Sequence, residues 1–109
     1  MTRITAIVDS NHYDKVTKSG LVVVKCGATW CGPCNKIAPE YEALSVTYNN
    51  ISFYALDIDT VGKFADSAAV TKLPTFLILK DGAPIKLIQG LSITEVEKTI
   101  RCAVLAHNS

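Results

Sequence analysis

The feature that most constrains this chain is a pair of cysteines, Cys31 and Cys34, placed between two different hydrophobic patterns. The apolar run before the pair, Leu21 to Cys26, is nearly continuous and rich in β-branched residues, which is typical of a strand buried on both faces. After the pair, apolar residues recur with the spacing of a helix, at Ile37, Tyr41, Leu44 and Tyr48. The pattern predicts a buried strand that leads directly into the N-terminus of a helix.

The position of the two cysteines relative to this helix indicates their chemistry. Residues i and i+3 lie on one helix face about one turn apart, so the two sulfur atoms can bond to each other. Pro33 suits the first helical turn, because its φ is already helical and an N–H has no intrahelical partner there. Cys31 would lie beside unpaired N–H groups and the positive end of the helix dipole, which stabilise an anion by about 0.3 to 1 kcal/mol. A thiolate at Cys31, with a more buried Cys34 behind it, predicts a two-step disulfide reductant.

The rest of the chain predicts strands that alternate with helices. Five segments have the composition of strands: 4–8, 21–26, 51–58, 76–79 and 84–89. Four helices are predicted, and they begin after Asp9, Cys31, Thr60 and Ser92. The order βαβαβαββα indicates an α/β fold, a central mixed sheet of five strands flanked by four helices. We expect 21–26 to be its central strand and 84–89, which begins with a proline, to be an edge strand.

Composition limits the kind of protein this chain can be. It has 109 residues, of which 49% are hydrophobic, and no apolar run approaches membrane-spanning length, so we expect one domain over residues 1–109. A net charge of +1 gives no basis for binding nucleic acid or a membrane. The N-terminus lacks the pattern of a signal or transit peptide, so a cytoplasmic, reducing compartment is expected. Four cysteines in such a compartment indicate redox or buried thiols rather than a disulfide framework.

The sequence Trp-Cys-Gly-Pro-Cys at 30–34, followed much later by Leu73-Pro74-Thr75 before a strand, resembles the thioredoxin family. The resemblance covers essentially the whole chain, including Ala28-Thr29, Asp57-Ile58-Asp59, Lys80-Asp81-Gly82 and Gly90. It implies the thioredoxin fold and a protein-disulfide reductase that works by thiol–disulfide exchange. Gly32 and Pro33 match the reducing members of the superfamily, whereas isomerases and oxidants usually have a histidine in the second of these places.

The resemblance also implies a role for each matching residue. Cys31 would be the nucleophile that forms a mixed disulfide, and Cys34 the resolving thiol that bonds to it on oxidation. Pro74 matches a proline that the family holds in cis beside the cysteine pair, where it shapes a substrate groove and excludes metal. The other substrate-binding positions implied are Trp30, Gly32, Pro33, Ile58, Leu73, Thr75, Gly90 and Leu91.

Partners and electron supply follow from the same resemblance. The family binds no cofactor, and its electrons come from NADPH through a thioredoxin reductase. Its clients are proteins with disulfides, such as peroxiredoxins and ribonucleotide reductase, and its roles are electron transport and cell redox homeostasis. A monomer is expected.

Lys25 is the main departure from the family pattern. The family has a buried aspartate at this position, six residues before the first cysteine, and pairs it with a lysine at the position of Ala55. The carboxylate is thought to help remove the proton from the resolving cysteine. Lys25 leaves two roles open: an ammonium that stabilises a Cys34 thiolate, or a neutral amine, with its pKa lowered by burial, that acts as a base. We expect the ammonium. A second departure, Gly27, predicts looser packing behind the motif.

Other interpretations of the cysteines remain possible from the residues alone. A structural zinc site needs four ligands, and the other candidate ligands are scattered along the chain: Cys26, Cys102, His12 and His107. An adaptor that uses this fold without redox activity is a second possibility, given Lys25. Cys26, on the buried strand, is expected to be a packing residue. Cys102, near Lys98 and Arg101, is either an inert surface thiol or a site of glutathionylation or intermolecular disulfide formation.

Overall fold

The computed structural model describes residues 3–61 and 72–107, which form one five-stranded sheet with helices packed on it. The strands are β1 (Ile4–Ile7), β2 (Leu21–Gly27), β3 (Ser52–Asp57), β4 (Thr75–Lys80) and β5 (Ala83–Gln89). The helices are α1 (Ser10–Val16), α2 (Gly32–Thr47) and α3 (Ile93–His107). The described residues thus hold three helices where the sequence predicts four. The helix expected after Thr60 falls on residues 62–71, outside the described residues.

The sheet has the order β1-β3-β2-β4-β5, so β2 is the central strand and β5 an edge strand, as the sequence predicts. β1, β3 and β2 are parallel, whereas β4 pairs antiparallel with both β2 and β5, which makes the sheet mixed. Asp81 and Gly82 form the β4–β5 turn with φ values of 51° and 87°. Both positive values are typical of a tight hairpin, and the Asp-Gly pair adopts them readily.

Two apolar clusters cover the two faces of the sheet, and β2 contributes to both because successive side chains of a strand point to opposite faces. Val23 belongs to the cluster beneath α2 and α3, whose other buried members are Ile37, Tyr41, Leu44, Ile51, Phe53, Phe76, Ile78, Ile88, Val96 and Ile100. The cluster on the other face, against which Tyr13 and Val16 of α1 pack, contains Ile7, Val22, Val24, Cys26, Leu56, Val61, Leu77 and Leu79. The strongly apolar run of β2 is therefore explained by burial on both faces.

Tyr41 fixes α2 over the centre of the sheet. Its side chain is fully buried, and its hydroxyl donates one shared hydrogen bond to two carbonyl oxygens, that of Tyr54 at 2.7 Å and that of Val23 at 3.2 Å. The ring also meets Phe53 edge to face, with the centroids 5.6 Å apart. These contacts join α2 to both β2 and β3, and so determine where the N-terminus of α2 lies.

Candidate active site

Cys31 lies at the N-terminus of α2, where it is the N-cap residue. Its backbone N–H donates to the Ala28 carbonyl at 3.1 Å, so a short turn connects the end of β2 to the helix. Its Sγ accepts a hydrogen bond from the backbone N–H of Cys34 at 3.2 Å. Pro33 occupies the first turn, as the sequence predicts. The sulfur of Cys31 therefore lies among the unpaired N–H groups of the first turn, which stabilise a thiolate when the pair is reduced.

Cys31 and Cys34 are joined by a disulfide bond, with their Cα atoms 5.3 Å apart. The sequence predicts Cys34 to be the more buried residue, but the two are buried almost equally, with exposures of 5% and 4%. The side chains of Ala28, Ile58 and Leu73 pack around the pair. The disulfide is thus largely shielded from water by neighbouring apolar groups.

The segment before β4 lies against this disulfide and contains the proline that the sequence singles out. The Leu73–Pro74 peptide bond is cis, as the resemblance predicts. Pro74 is fully buried, and its carbonyl accepts a hydrogen bond from the N–H of Gly90 at 2.8 Å. The hydroxyl of Thr75, also buried, donates to the carbonyl of Lys72. These two bonds fix the backbone on either side of Leu73.

A groove of about 520 Å³ includes Cys31 in its wall. The described residues that line it are Trp30, Cys31, Gly32, Pro33, Ile58, Lys72 and Leu73. Five of the implied substrate-binding residues are therefore brought together beside Cys31. The other four lie outside this lining: Pro74 and Thr75 are buried, Gly90 bonds to Pro74, and Leu91 is half-exposed.

Trp30 forms part of this wall although 67% of its surface is exposed. Its indole Nε1–H donates to the Asp59 carboxylate at 2.8 Å, and the backbone N–H of Asp59 donates to the Asp57 carboxylate at 2.8 Å. The exposed ring is thus held by the turn that follows β3. Sequence reasoning missed this role of Asp59, because no local pattern links residues 30 and 59.

Lys72 is a second residue that sequence reasoning missed. It is exposed, and it is the only charged side chain among the described residues that line the groove. Only one feature of the sequence could have indicated that Lys72 lies near the site, namely its position two residues before Pro74.

Lys25 lies in the middle of β2, on the same face of the sheet as α2. Its side chain is half-buried, and its Nζ lies 5.3 Å from the centroid of the Tyr41 ring. Burial lowers the pKa of Lys25, and the negative charge of Glu42 partly opposes that change. Lys25 and Cys34 line the same open groove of about 390 Å³. Ala55, the cross-strand neighbour of Lys25, is small and also lines it.

Gly27 is in close contact with Cys34. A β-carbon added to Gly27 would lie 3.1 Å from Sγ and 3.4 Å from Cβ of Cys34, and the first distance is too short for a relaxed contact. The expectation that Gly27 loosens the packing behind the motif is therefore wrong at this point. The missing side chain lets α2 approach the end of β2 closely.

The two cysteines outside the motif lie in different environments. Cys26 is a free, fully buried thiol, and burial raises its pKa to about 12, so it remains protonated and acts as an apolar packing residue. Cys102, on α3, is free and exposed.

Within residues 3–61 and 72–107, no three His, Cys, Asp or Glu side chains are grouped closely enough to hold a metal ion. None of the helices in those ranges has the length and apolar composition needed to cross a membrane.

Known proteins with similar sequences and structures share this arrangement of strands and helices. The family model described as thioredoxin matches residues 3–101. A thioredoxin of Aspergillus fumigatus is 38% identical over 100 residues, which are 91% of this chain and 93% of that protein. Among solved structures, a thioredoxin of Nicotiana alata is 35% identical with a TM-score of 0.83, over 91% of this chain and 90% of its own. A chain from a structural study of thiol resolution in a yeast mitochondrial 1-Cys peroxiredoxin through glutathione and thioredoxin systems is 31% identical, with a TM-score of 0.84 over 93% and 98% of the two chains.

Proposed function

The chain belongs to the thioredoxin family, and from this membership we propose how each residue around its redox-active disulfide acts. Its activity is thiol–disulfide exchange, which makes it a thiol–disulfide oxidoreductase and a protein-disulfide reductase. One observation carries the division of roles. Cys31 caps α2 and lines the groove beside Trp30, whereas Cys34 lies inward against Gly27.

In the first step, Cys31 of the reduced protein is the nucleophile. Its thiolate attacks one sulfur of a client disulfide, so a Cys31–client bond forms and the client S–S bond breaks. The second client sulfur leaves as a thiolate and takes up a proton from water. The N–H of Cys34, which donates to Cys31 Sγ in the oxidised protein, is well placed to stabilise the attacking thiolate.

In the second step, Cys34 loses its proton and attacks Cys31 Sγ. The Cys31–client bond breaks, the client leaves with both cysteines reduced, and Cys31 and Cys34 are left joined, as they are in this structure. Two electrons have passed to the client. In the oxidised protein the two Cα atoms are 5.3 Å apart, within the ordinary range for a disulfide bond.

We propose that the client segment binds in the groove lined by Trp30, Ile58 and Leu73, in an extended conformation. Among residues 3–61 and 72–107, no other backbone group is bonded to the N–H or carbonyl of Leu73, and we propose that these groups pair with a client strand. Pro74, Thr75 and Gly90 would act by fixing this backbone rather than by touching the client. Gly32, Pro33 and Leu91 would extend the apolar contact surface.

We further propose that a thioredoxin reductase regenerates the dithiol with electrons from NADPH. The proposed clients are peroxiredoxins, a class with which one structural neighbour was studied, and ribonucleotide reductase.

The free thiols of Cys26 and Cys102 are typical of a compartment that keeps cysteines reduced, which favours the cytoplasm. We propose that residues 1–109 form one domain that works as a monomer.

The proposed role of Lys25 is to assist the second step as an ammonium. The Tyr41 ring and the charge of Glu42 both favour the charged form, whereas burial opposes it. Because Lys25 and Cys34 line one groove, the ammonium would stabilise the Cys34 thiolate as its proton leaves. Lys25 would thus replace, by charge, the base that the family supplies with its aspartate.

Replacing Lys25 tests this role through the pH dependence of mixed-disulfide resolution. We expect Lys25→Met to move the half-maximal rate upward by about one pH unit, because the thiolate loses a neighbouring positive charge. Lys25→Arg should restore the profile if charge is what matters, and it should not if a neutral amine acts as a base. The exposed Lys98 provides the matched control, Lys98→Met. A profile that Lys25→Met leaves unchanged excludes Lys25 from the proton step.

The proposed function itself is tested by insulin reduction, driven either by dithiothreitol or by NADPH with a thioredoxin reductase. The wild-type chain should accelerate precipitation of the insulin B chain. Cys34→Ser should instead accumulate a covalent complex with the client through Cys31, which mass spectrometry detects as an adduct that dithiothreitol removes. A wild-type chain that fails with both electron sources would point to an adaptor that uses this fold without redox activity.

A further inference from the structure

The groove beside Cys31 has an uneven distribution of charge. Most of its described lining is apolar, and Lys72 alone brings a charged side chain to it. The side chain is exposed and forms no ion pair with another described residue. A positive charge beside the reactive sulfur is thus available to a bound client.

The backbone of Lys72 is fixed while its ammonium remains exposed. Its carbonyl accepts a hydrogen bond from the Thr75 hydroxyl, across the segment that contains the cis peptide bond. The end of its side chain extends over Gly90, where a β-carbon would lie 3.8 Å from both Cε and Nζ. The lysine side chain therefore lies close to Gly90, and the same residue also lines the groove.

The carboxylate of Asp59 is directed at the Trp30 indole and is not part of the described lining of the groove. The carboxylate of Asp59 accepts the hydrogen bond of the Trp30 indole at 2.8 Å, and that contact positions the ring. Asp59 is absent from the described lining, whereas Lys72 is part of it. A client that lies along the groove would therefore meet an unpaired cation and no unpaired anion among the described lining residues.

We propose that Lys72 is a specificity-determining residue that favours client disulfides with a carboxylate side chain close to the attacked cysteine. The proposal rests on the proposed function, because it concerns the choice among substrates of the same exchange reaction. An extended client advances about 3.3 Å per residue, so an Asp or Glu next to the cysteine is within reach of a lysine side chain. An exposed lysine–carboxylate pair of this kind corresponds to a preference of about two- to five-fold.

Two charge-matched substrates measure this preference. They are disulfide-bonded peptides that differ only in having Asp or Lys beside each cysteine, and bis(2-hydroxyethyl) disulfide serves as a small neutral substrate. The wild-type chain should reduce the Asp peptide with about two- to five-fold higher kcat/KM. Lys72→Met should bring the ratio close to one, Lys72→Glu should reverse it, and salt at about 0.5 M should weaken it.

The neutral disulfide separates client selection from an effect on the dithiol. Rates on bis(2-hydroxyethyl) disulfide normalise each Lys72 variant for its effect on the dithiol, so client selection is the change in the peptide rates relative to this neutral substrate. The exposed variant Lys98→Glu should leave the peptide ratio unchanged. A ratio that Lys72→Glu does not alter overturns the proposal. Equal losses on all three substrates also overturn it, since they would mean that the lysine acts on Cys31. A wild-type chain inactive on every substrate would overturn the proposed function instead.

Discussion

Two buried cysteines, Cys26 and Cys34, lie on opposite sides of β2 and show what makes a thiol reactive in this fold. Cys26 is completely buried and Cys34 is 4% exposed, so burial alone does not distinguish them. Apolar side chains such as Val24 and Leu56 share the cluster of Cys26, and burial raises its pKa to about 12. Cys34 is bonded to Cys31 at the N-terminus of a helix. The two sites differ in reactivity because the Cys31–Cys34 pair has the N–H groups of the helix N-terminus and a second sulfur close by, whereas Cys26 has neither. The degree of burial does not distinguish them.

The largest expected effect comes from removing one thiol on each side of β2. Cys31→Ala should lower the rate of insulin reduction by at least about 10³-fold, because none of the other three thiols caps α2 or lines the groove beside Trp30. Cys26→Ala should leave that rate within about two-fold and lower the free energy of unfolding by about 1 kcal/mol, through the small cavity it creates. Insulin turbidity and urea unfolding measure the two quantities.

Alkylation of the reduced, folded protein provides an independent check on this contrast. Iodoacetamide at neutral pH should modify Cys31 first, Cys102 next and Cys26 last, and peptide mapping reads the order. The comparison breaks if Cys26→Ala abolishes insulin reduction in a protein that remains folded, or if Cys26 is alkylated as fast as Cys31.

The second expected effect is a loss of stability at alkaline pH to which Cys26 contributes. The folded protein keeps the Cys26 proton up to about pH 12, whereas the unfolded chain loses it from its ordinary pKa of 9.0. Between these values the folded state binds more protons, so the free energy of unfolding falls as pH rises, by about 1.4 kcal/mol per unit. Below pH 9 the contribution is fully present. By pH 10.5 we expect a loss of about 2 kcal/mol from this group.

Urea unfolding of wild type and Cys26→Ala at pH 8 and pH 10.5 measures that contribution as the difference between the two proteins. Burial raises the pKa of Tyr13 and Tyr41, and it lowers that of Lys25, in both proteins. The charge of the Cys26 thiolate raises the pKa of the two tyrosines further in the wild type, so the difference includes this effect of Cys26 on its neighbours. The variant should lose about 2 kcal/mol less between the two pH values. Cys102→Ala, which removes an exposed thiol, should behave like the wild type. If the free energy of unfolding falls equally in wild type and Cys26→Ala, the Cys26 thiol is solvated and its pKa is not raised by burial.

The sequence was sufficient for the parts of this comparison that depend on local pattern. The apolar run of β2 predicts a central strand, and Pro33 with the helical stripe that follows it predicts a cysteine at a helix N-terminus. The bond between Trp30 and Asp59 and the contact between Lys72 and Gly90 join residues far apart in the chain. No periodicity or spacing encodes such contacts, because they arise only when segments that flank different strands meet in the fold.

The close approach of Gly27 to Cys34 is another contact that the local sequence pattern does not predict, and its expected effect is the smallest. Gly27→Ala would bring a β-carbon to 3.1 Å from Cys34 Sγ, so we expect a loss of about 1 kcal/mol in the free energy of unfolding. Gly32→Ala is the matched control, since a β-carbon there meets nothing within 4 Å, and it should be neutral or slightly stabilising. Urea unfolding of the oxidised and the reduced protein shows whether the added β-carbon acts on the Cys34 sulfur or on the backbone of α2. A disulfide prevents Sγ from rotating away, so the loss should be larger in the oxidised form. Equal losses in both forms would instead mean that the added methyl group displaces the backbone of α2, and that the position of Cys34 does not depend on a glycine at the end of β2.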